Sequence, residues 1–356
     1  MPFRLSPVRL LDVDARRICV VKPSALGDIV QALPLLGMLR SRFPRASVSW
    51  VIRRDLAELL AGHPELSELI PFRRDGNARE FLSLLALLRG RRFDLVIDLQ
   101  GLFRTALMTV ATGAPLRVGL ETAREGANLA CNCVIPDSGR NVPAHLRYWR
   151  VAEALGSADH SRVTVVPMTA AASSWAAEIV GPLRRPILAI HPGATWETKR
   201  WPAAKFAEIA CRFDGSVVVV GSSQEHKAGV QIADAVLGMS GSAIDLTGRT
   251  TLKQLAAVLA AVDLLVSNDS GPLHLAAALA TPVVGIFTCT SPLRSGPAGN
   301  LHELISTGVP CAASYEKTCP FRGPAHLTCL TELSVERVWT AVERIRERHR
   351  TRARPA

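Results

Sequence analysis

The chain has 356 residues, 48% of them hydrophobic and 5% aromatic, with a formal charge of +11. That length fits roughly two domains of ~100–200 residues each, and the apolar content allows sizeable cores and excludes general disorder. The charge favours anionic partners, but the basic residues are scattered in pairs such as Arg53-Arg54, Arg73-Arg74, Arg91-Arg92 and Arg184-Arg185, so no nucleic-acid module or continuous basic arm is visible.

The first residues, Met1 to Arg17, carry a charge every few positions and lack the uninterrupted apolar core of a signal peptide. No apolar run reaches the ~18 residues of a membrane helix. The longest, Leu275 to Cys289, is broken by Thr281-Pro282. A cytoplasmic protein is expected, attached peripherally to a membrane if at all, with a disordered tail from Arg350 to Ala356.

Short β-branched runs then alternate with helical periods, the pattern of parallel-sheet α/β proteins. Strands are predicted at Arg17–Lys22, Ser47–Arg53, Glu68–Phe72, Asp94–Gln100 and Arg117–Gly119, with helices at Ile29–Arg42 and Phe81–Arg89. Between the first strand and helix, Gly27 permits a tight turn and Asp28 stands at the helix mouth. A carboxylate there either caps the free N–H groups or acts as a base facing a cleft. Gln100 to Thr105 and Glu121 to Glu125 form loops in which Arg104 and Arg124 are able to meet an acidic acceptor.

From Pro167 the pattern lapses, which places a linker at 169–184 between an N-terminal domain, 1–168, and a second domain, 185–333. The second series of strands is Ile187–His191, Val217–Gly221, Ala243–Leu246, Leu264–Asn268 and Val283–Phe287. A helix at Leu252–Val262 turns Leu252, Leu255, Leu259 and Val262 to one face. Residues 334–356 form a last helix, N-capped by Ser334, and a basic tail.

Three loops of this half draw attention. After the first strand, Thr195 and Lys199 supply a hydroxyl and an ammonium suited to phosphate. After the second, Glu225 stands where a carboxylate binds ribose in dinucleotide folds. After Leu264–Asn268 come Asp269, Ser270, Gly271 and Pro272, then His274 in the first helical turns. Pro suits that helix start, and its free N–H groups make an anion site. Asp269 repels phosphate, so its place is with sugar hydroxyls or as a cap.

Eight cysteines make no disulfide framework in a chain of this length. Cys311, Cys319 and Cys329, with His326, lack the paired spacing of a zinc ribbon, and buried thiols are the plainer reading. No metal and no cofactor are expected. Walker-type, GxGxxG and HExxH motifs are also absent.

Five segments together resemble glycosyltransferase family 9, the heptosyltransferases of lipopolysaccharide core assembly. They are KPSALGDIVQALP from Lys22, QGLFRTAL from Gln100, ETAREGAN from Glu121, HPGATWETKRWP from His191 and SNDSGPLHLAAALATPVVGIF from Ser267. The resemblance implies a GT-B architecture, two Rossmann-like lobes with parallel sheets facing a cleft. It implies inverting, metal-independent transfer of heptose from an ADP-activated donor to the inner core, with Kdo-lipid A or heptosyl-Kdo-lipid A as acceptor. Asp28 then matches the catalytic base. Thr195, Lys199, Glu225, Asp269, Ser270, Gly271 and His274 match the donor site, and Arg104 and Arg124 belong to the acceptor side. Where some members have Thr-Gly-Leu this chain has Ser270-Gly271-Pro272, and Ser314 replaces one of four tail cysteines. The ETARE segment is similar to the enzyme adding the first heptose, whereas the cysteine tail is similar to the enzyme adding the second.

Overall fold

A computed structural model of the chain describes residues 10–136, 139 and 141–352. Residues 1–9 and 353–356, which hold most of the charged start and of the tail, lie outside the described residues. The chain divides into two compact units, Met1–Pro167 and Met168–Ala356.

In the first unit the strands are β1 (Arg17–Val21), β2 (Ser47–Arg53), β3 (Glu68–Phe72), β4 (Leu95–Asp98), β5 (Leu116–Leu120) and β6 (Cys133–Ile135). All pair in parallel, in the order β3-β2-β1-β4-β5-β6. The helices are α1 (Leu26–Ala32), α2 (Pro34–Arg42), α3 (Ala57–Leu60), α4 (Ala78–Gly90), α5 (Phe103–Ala111) and α6 (Ala144–Ala154). Alternate strand residues Cys19, Val21, Val51, Ile70 and Val96 face Leu84, Leu88 and Met108 of α4 and α5, as the two-residue period of a strand requires. The helix expected over Ile29–Arg42 is two helices. Pro34 has no N–H to donate, so the chain breaks there and restarts with Pro in its first turn.

In the second unit the strands are β7 (Ile187–His191), β8 (Ser216–Val219), β9 (Ser242–Asp245), β10 (Leu264–Asn268), β11 (Val283–Phe287) and β12 (Glu303–Ser306). Their order, β12-β11-β10-β7-β8-β9, repeats that of the first unit strand for strand, and all are again parallel. The helices are α7 (Ala170–Val180), α8 (Ala203–Arg212), α9 (His226–Gly238), α10 (Leu252–Ala261), α11 (Gly271–Ala278), α12 (Pro292–Ser295), α13 (Thr328–Glu332) and α14 (Val335–Arg352). Most of the segment expected as a linker is therefore α7, which Thr169 N-caps and which packs on α10. One core joins Leu188, Ile190, Val217 and Val219 to Phe206 and Ile209 of α8 and to Val338, Val342 and Ile345 of α14.

Both sheets thus have the doubly wound order in which the chain reverses direction between the first and fourth strands. In the first unit that point lies between β1 and β4, and in the second between β7 and β10. Ligands of open parallel sheets bind beyond the carboxyl ends of such strands.

Candidate functional site

At the β1–β4 point of the first unit, Lys22 follows β1 directly, and burial pushes its ammonium pKa down against the pull of Asp28 and Asp98. Its Nζ lies 3.6 Å from Asp28 Oδ2 and donates to Gln100 Oε1 at 3.3 Å. Asp28 is the third residue of α1, not its N-cap. Ala25 holds the cap position, and its N–H reaches Asp28 Oδ2 at 3.4 Å. The carboxylate therefore contributes to the helix start while its side chain stays 37% exposed. Its other oxygen accepts from the Tyr148 hydroxyl of α6 at 3.0 Å. Burial and the Asp28 charge push the Tyr148 phenol well above its ordinary range, so it remains a proton donor.

Asp98 ends β4 and is buried. Its Oδ1 accepts from the Gln100 and Gly101 N–H groups at 2.9 and 3.0 Å, and its Oδ2 accepts from Thr105 at 2.9 Å. Burial raises its pKa against those hydrogen bonds and the Lys22 charge. It fixes the loop that presents Gln100. Gly101, at φ +62°, allows Ala123 to approach so closely that a β-carbon would stand 2.8 Å from its Cα. The Arg124 N–H donates to Gly101 O at 2.8 Å, so the ETARE loop docks on the QGLF loop.

Arg124 is exposed, and Arg104 donates from Nη1 to the Arg74 carbonyl at 2.7 Å. Arg74 lines a cavity of about 740 Å3 with Arg53, Arg54, Asp55, Phe72, Arg73 and Asp75, at the carboxyl ends of β2 and β3. Arg53 and Arg73 are paired with Asp55 and Asp75. Ion pairs likewise hold Arg91 on Glu68, Arg184 on Asp214 and Arg185 on Asp263. Much of the paired basic surface is thus locally neutralised.

At the β7–β10 point of the second unit, Asp269 follows β10 and is 6% exposed. Lys199 Nζ donates to its Oδ2 at 2.7 Å, the Thr290 hydroxyl donates to the same oxygen at 2.7 Å, and His274 Nε2 lies 3.7 Å from Oδ1. Burial pushes the Asp269 carboxyl up, but the His274 hydrogen bond and the Lys199 and His274 charges outweigh it and hold it at about 2. Lys199 also sits over the Trp196 ring, 4.5 Å from its centre. The Lys199 ammonium is therefore held in place. Asp269 belongs to a buried charge cluster and not to a helix cap.

Ser270 occupies the N-cap position of α11, but its hydroxyl does not cap the helix. It turns instead to His191 Nδ1 at 3.2 Å and to Ser267 Oγ at 3.0 Å. The start of α11, with Gly271 as its first residue, is thus left without a side-chain cap. Burial drives the His191 imidazole down to about 4, against the Glu225 charge, so it is neutral at pH 7. Asn268 joins the two loops by donating to Pro192 O at 2.7 Å and accepting from Trp201 N–H at 3.2 Å. Glu225 accepts from the Ser222 N–H and hydroxyl, and its side chain lies against Gly193, where a β-carbon would fall 2.6 Å from it. Thr195 is exposed on the same β7 loop.

In the first unit the structure joins Asp28 to residues that the sequence reading gave no role, namely Lys22, Asp98, Gln100 and Tyr148. In the second, Lys199, Asp269 and His274 form one cluster, and Ser270 meets His191. Glu225 approaches the loop carrying Thr195. In the tail, Cys289 from the end of β11 joins the cysteine cluster: burial first, then the Cys311, Cys289 and Cys319 thiols, raise Cys329 to about 11. Among the described residues no group of His, Cys, Asp or Glu is arranged to hold a metal ion.

Two doubly wound units, each with charged side chains at its switch point, make up the GT-B class of glycosyltransferases. The profile of glycosyltransferase family 9 (heptosyltransferase) matches residues 81–324, and the chain belongs to that family. It is 27% identical to the lipopolysaccharide core heptosyltransferase OpsX of Haemophilus influenzae, over 82% of this chain and 84% of that one. It is 29% identical to lipopolysaccharide heptosyltransferase 1 of Pseudomonas aeruginosa, over 92% and 97%. Its fold is similar to that of the ADP-heptose lipopolysaccharide heptosyltransferase II of Escherichia coli, with a TM-score of 0.75, 26% identity, and coverage of 94% and 99%. Among the described residues no helix is long and apolar enough to cross a membrane.

Proposed function

We propose that this protein is an inverting, metal-independent heptosyltransferase that uses ADP-heptose and acts on the lipopolysaccharide inner core, at Kdo-lipid A or heptosyl-Kdo-lipid A. Asp28 takes the proton of the acceptor hydroxyl as its oxygen attacks the anomeric carbon. The new C–O bond forms as the bond to the diphosphate breaks, and ADP leaves. Family membership supports the reaction class. The observation that carries the assignment is the Lys199–Asp269–His274 cluster beside the uncapped start of α11. Cation and N–H groups already fixed in place stabilise a leaving diphosphate with little reorganisation.

Asp28 has the features of a base. It is part exposed, lies 3.6 Å from the Lys22 ammonium, and is oriented by Tyr148. Glu225 and Thr195 are assigned to the nucleoside and phosphate of the donor. Arg54 and Arg74 in the cavity, beyond the Arg53–Asp55 and Arg73–Asp75 pairs, with Arg104 at its edge and Arg124 on the neighbouring loop, suit an acidic, phosphorylated acceptor. Such an acceptor resides at the cytoplasmic face of the inner membrane, where the enzyme would attach peripherally.

The test is incubation of the purified chain with ADP-heptose and Kdo-lipid A or its heptosylated form, followed by mass spectrometry of the product and determination of its anomeric configuration. A heptosylated product of inverted configuration, formed in the presence of a chelator, is expected. Transfer of another sugar would move the protein to a different specificity within its family. No transfer from any ADP-sugar would overturn the assignment.

A further inference from the structure

Helix α5 buries Ala106 and Met108 and leaves an apolar stripe outside. Phe103, Leu107 and Val110 follow one another at i, i+4 and i+7 and are 59%, 39% and 55% exposed. Leu129, 76% exposed, extends the stripe from the 3-10 turn Ala127–Ala130, which packs on α5 through Ala106, Ala127 and Ala130. Scattered exposed apolar residues are ordinary, whereas a contiguous stripe marks a contact surface.

The rim of this stripe is basic. Arg104 and Arg124 are exposed near the start of α5. At its far end the Arg89 guanidinium lies over Gly113, in the space a β-carbon would fill. No acidic residue lies within α5, and Glu125 beside it directs Oε2 to the Phe103 N–H at 3.0 Å. Large apolar side chains with arginines at both ends of the helix suit the boundary between acyl chains and anionic headgroups.

The geometry points to the outer face of α5, together with Leu129, as the surface by which this chain docks on an anionic lipid bilayer. The inference rests on the reading of the acceptor as a phosphorylated, lipid-linked glycan. Phe103 follows three residues after Gln100, whose Oε1 meets Lys22 beside Asp28. A lipid held at the stripe therefore leaves its headgroup at the same end of the sheet as the candidate base.

Vesicle flotation of the full chain tests this without any substrate. Vesicles of phosphatidylcholine with one-third phosphatidylglycerol should carry the protein up, less so as salt rises, and pure phosphatidylcholine should carry little. The double variant Leu107→Glu/Val110→Glu should partition about tenfold less or lower, Arg89→Glu should be weakened, and Leu293→Glu, an exposed site in the second unit, should behave as wild type. With a water-soluble deacylated acceptor the double variant should retain its turnover, and with acceptor embedded in vesicles it should lose most of it.

Unchanged flotation of the double variant would overturn the inference. So would a wild-type dimer that the double variant dissociates while neither form floats, which would make this face a contact between copies. Absence of transfer to either acceptor, with flotation lost only in the double variant, would instead sink the transferase reading and leave the docking surface standing.

Discussion

Asp28 and Tyr148 are 120 positions apart in the chain and meet at 3.0 Å. A hydrogen bond to a charged acceptor contributes about 1.5–3 kcal/mol, so Tyr148→Phe should lower kcat about tenfold by loosening the carboxylate. Donor affinity, measured by calorimetry with ADP, should be unchanged. Asp28→Asn should lower kcat by about 10²–10⁴, the usual range for loss of a general base, again with ADP binding retained. Parallel loss of ADP binding in either variant would argue against a base located on the acceptor side.

His191 provides a prediction about pH. Its folded pKa is depressed from 6.5 to about 4, so between those values the unfolded chain takes up a proton that the folded chain resists. The contribution is complete above pH 6.5 and is lost as pH falls toward 4, to the extent of about 3 kcal/mol at 1.36 kcal/mol per unit. Thermal melts across this window should show a falling midpoint in the wild type and a flatter profile in His191→Gln. Asp269 acts lower on the scale: its contribution is present above about pH 4 and is lost as pH falls through about 2.

At the scale of elements, Asn268 is the joint between the β7 and β10 loops. Asn268→Ala leaves Pro192 O unsatisfied in the interior and Trp201 N–H with the Lys199 carbonyl alone, at 3.2 Å. A buried orphan costs about 1–3 kcal/mol, so denaturant titration should show the second unit clearly destabilised. Gly101→Ala forces a side chain into a left-handed conformation, which costs about 1–2 kcal/mol, and presses it on Ala123. Circular dichroism should show the fold kept, while turnover falls because the QGLF and ETARE loops no longer dock.

These loops also show what the sequence makes legible. The central strands of both units stand out because burial on both faces demands short apolar runs, as in Leu264–Val266 and Val283–Phe287. Two outer strands did not. Cys133–Ile135 is buried at both ends but has only three residues, too few to set a period, and Glu303–Ser306 is half-exposed along its length. The turn residues Asp28, Lys199, Asp269 and His274 were readable because small and polar residues at strand ends are unusual in an apolar chain. Tyr148 was not, since it lies on an amphipathic helix where an aromatic residue looks like ordinary core. Lys22 was hidden in the same way: nothing local distinguishes a buried lysine from one that leads into a turn.

For the whole molecule, two units with one strand order each enclose a separate core, and α14 is the last piece of the second. Val335, Val338, Val342 and Ile345 are all buried. At about 1.5–3 kcal/mol per side chain, their removal costs roughly 6–12 kcal/mol, comparable to the ~5–15 kcal/mol that holds a domain together. A chain ending at Leu333 should therefore lose the second unit's cooperative unfolding transition and its ADP binding, while the first unit's transition survives. Loss of both transitions together would show that the units do not fold independently.

The Lys199–Asp269 pair has a further consequence, for the time a product remains bound. Any diphosphate that draws on Lys199 competes with a carboxylate already 2.7 Å from it and attached to the same chain. That carboxylate cannot be diluted away. At the proposed donor site it would act as an internal rival that weakens the hold on spent nucleotide, and it would take the lysine back once the nucleotide departs.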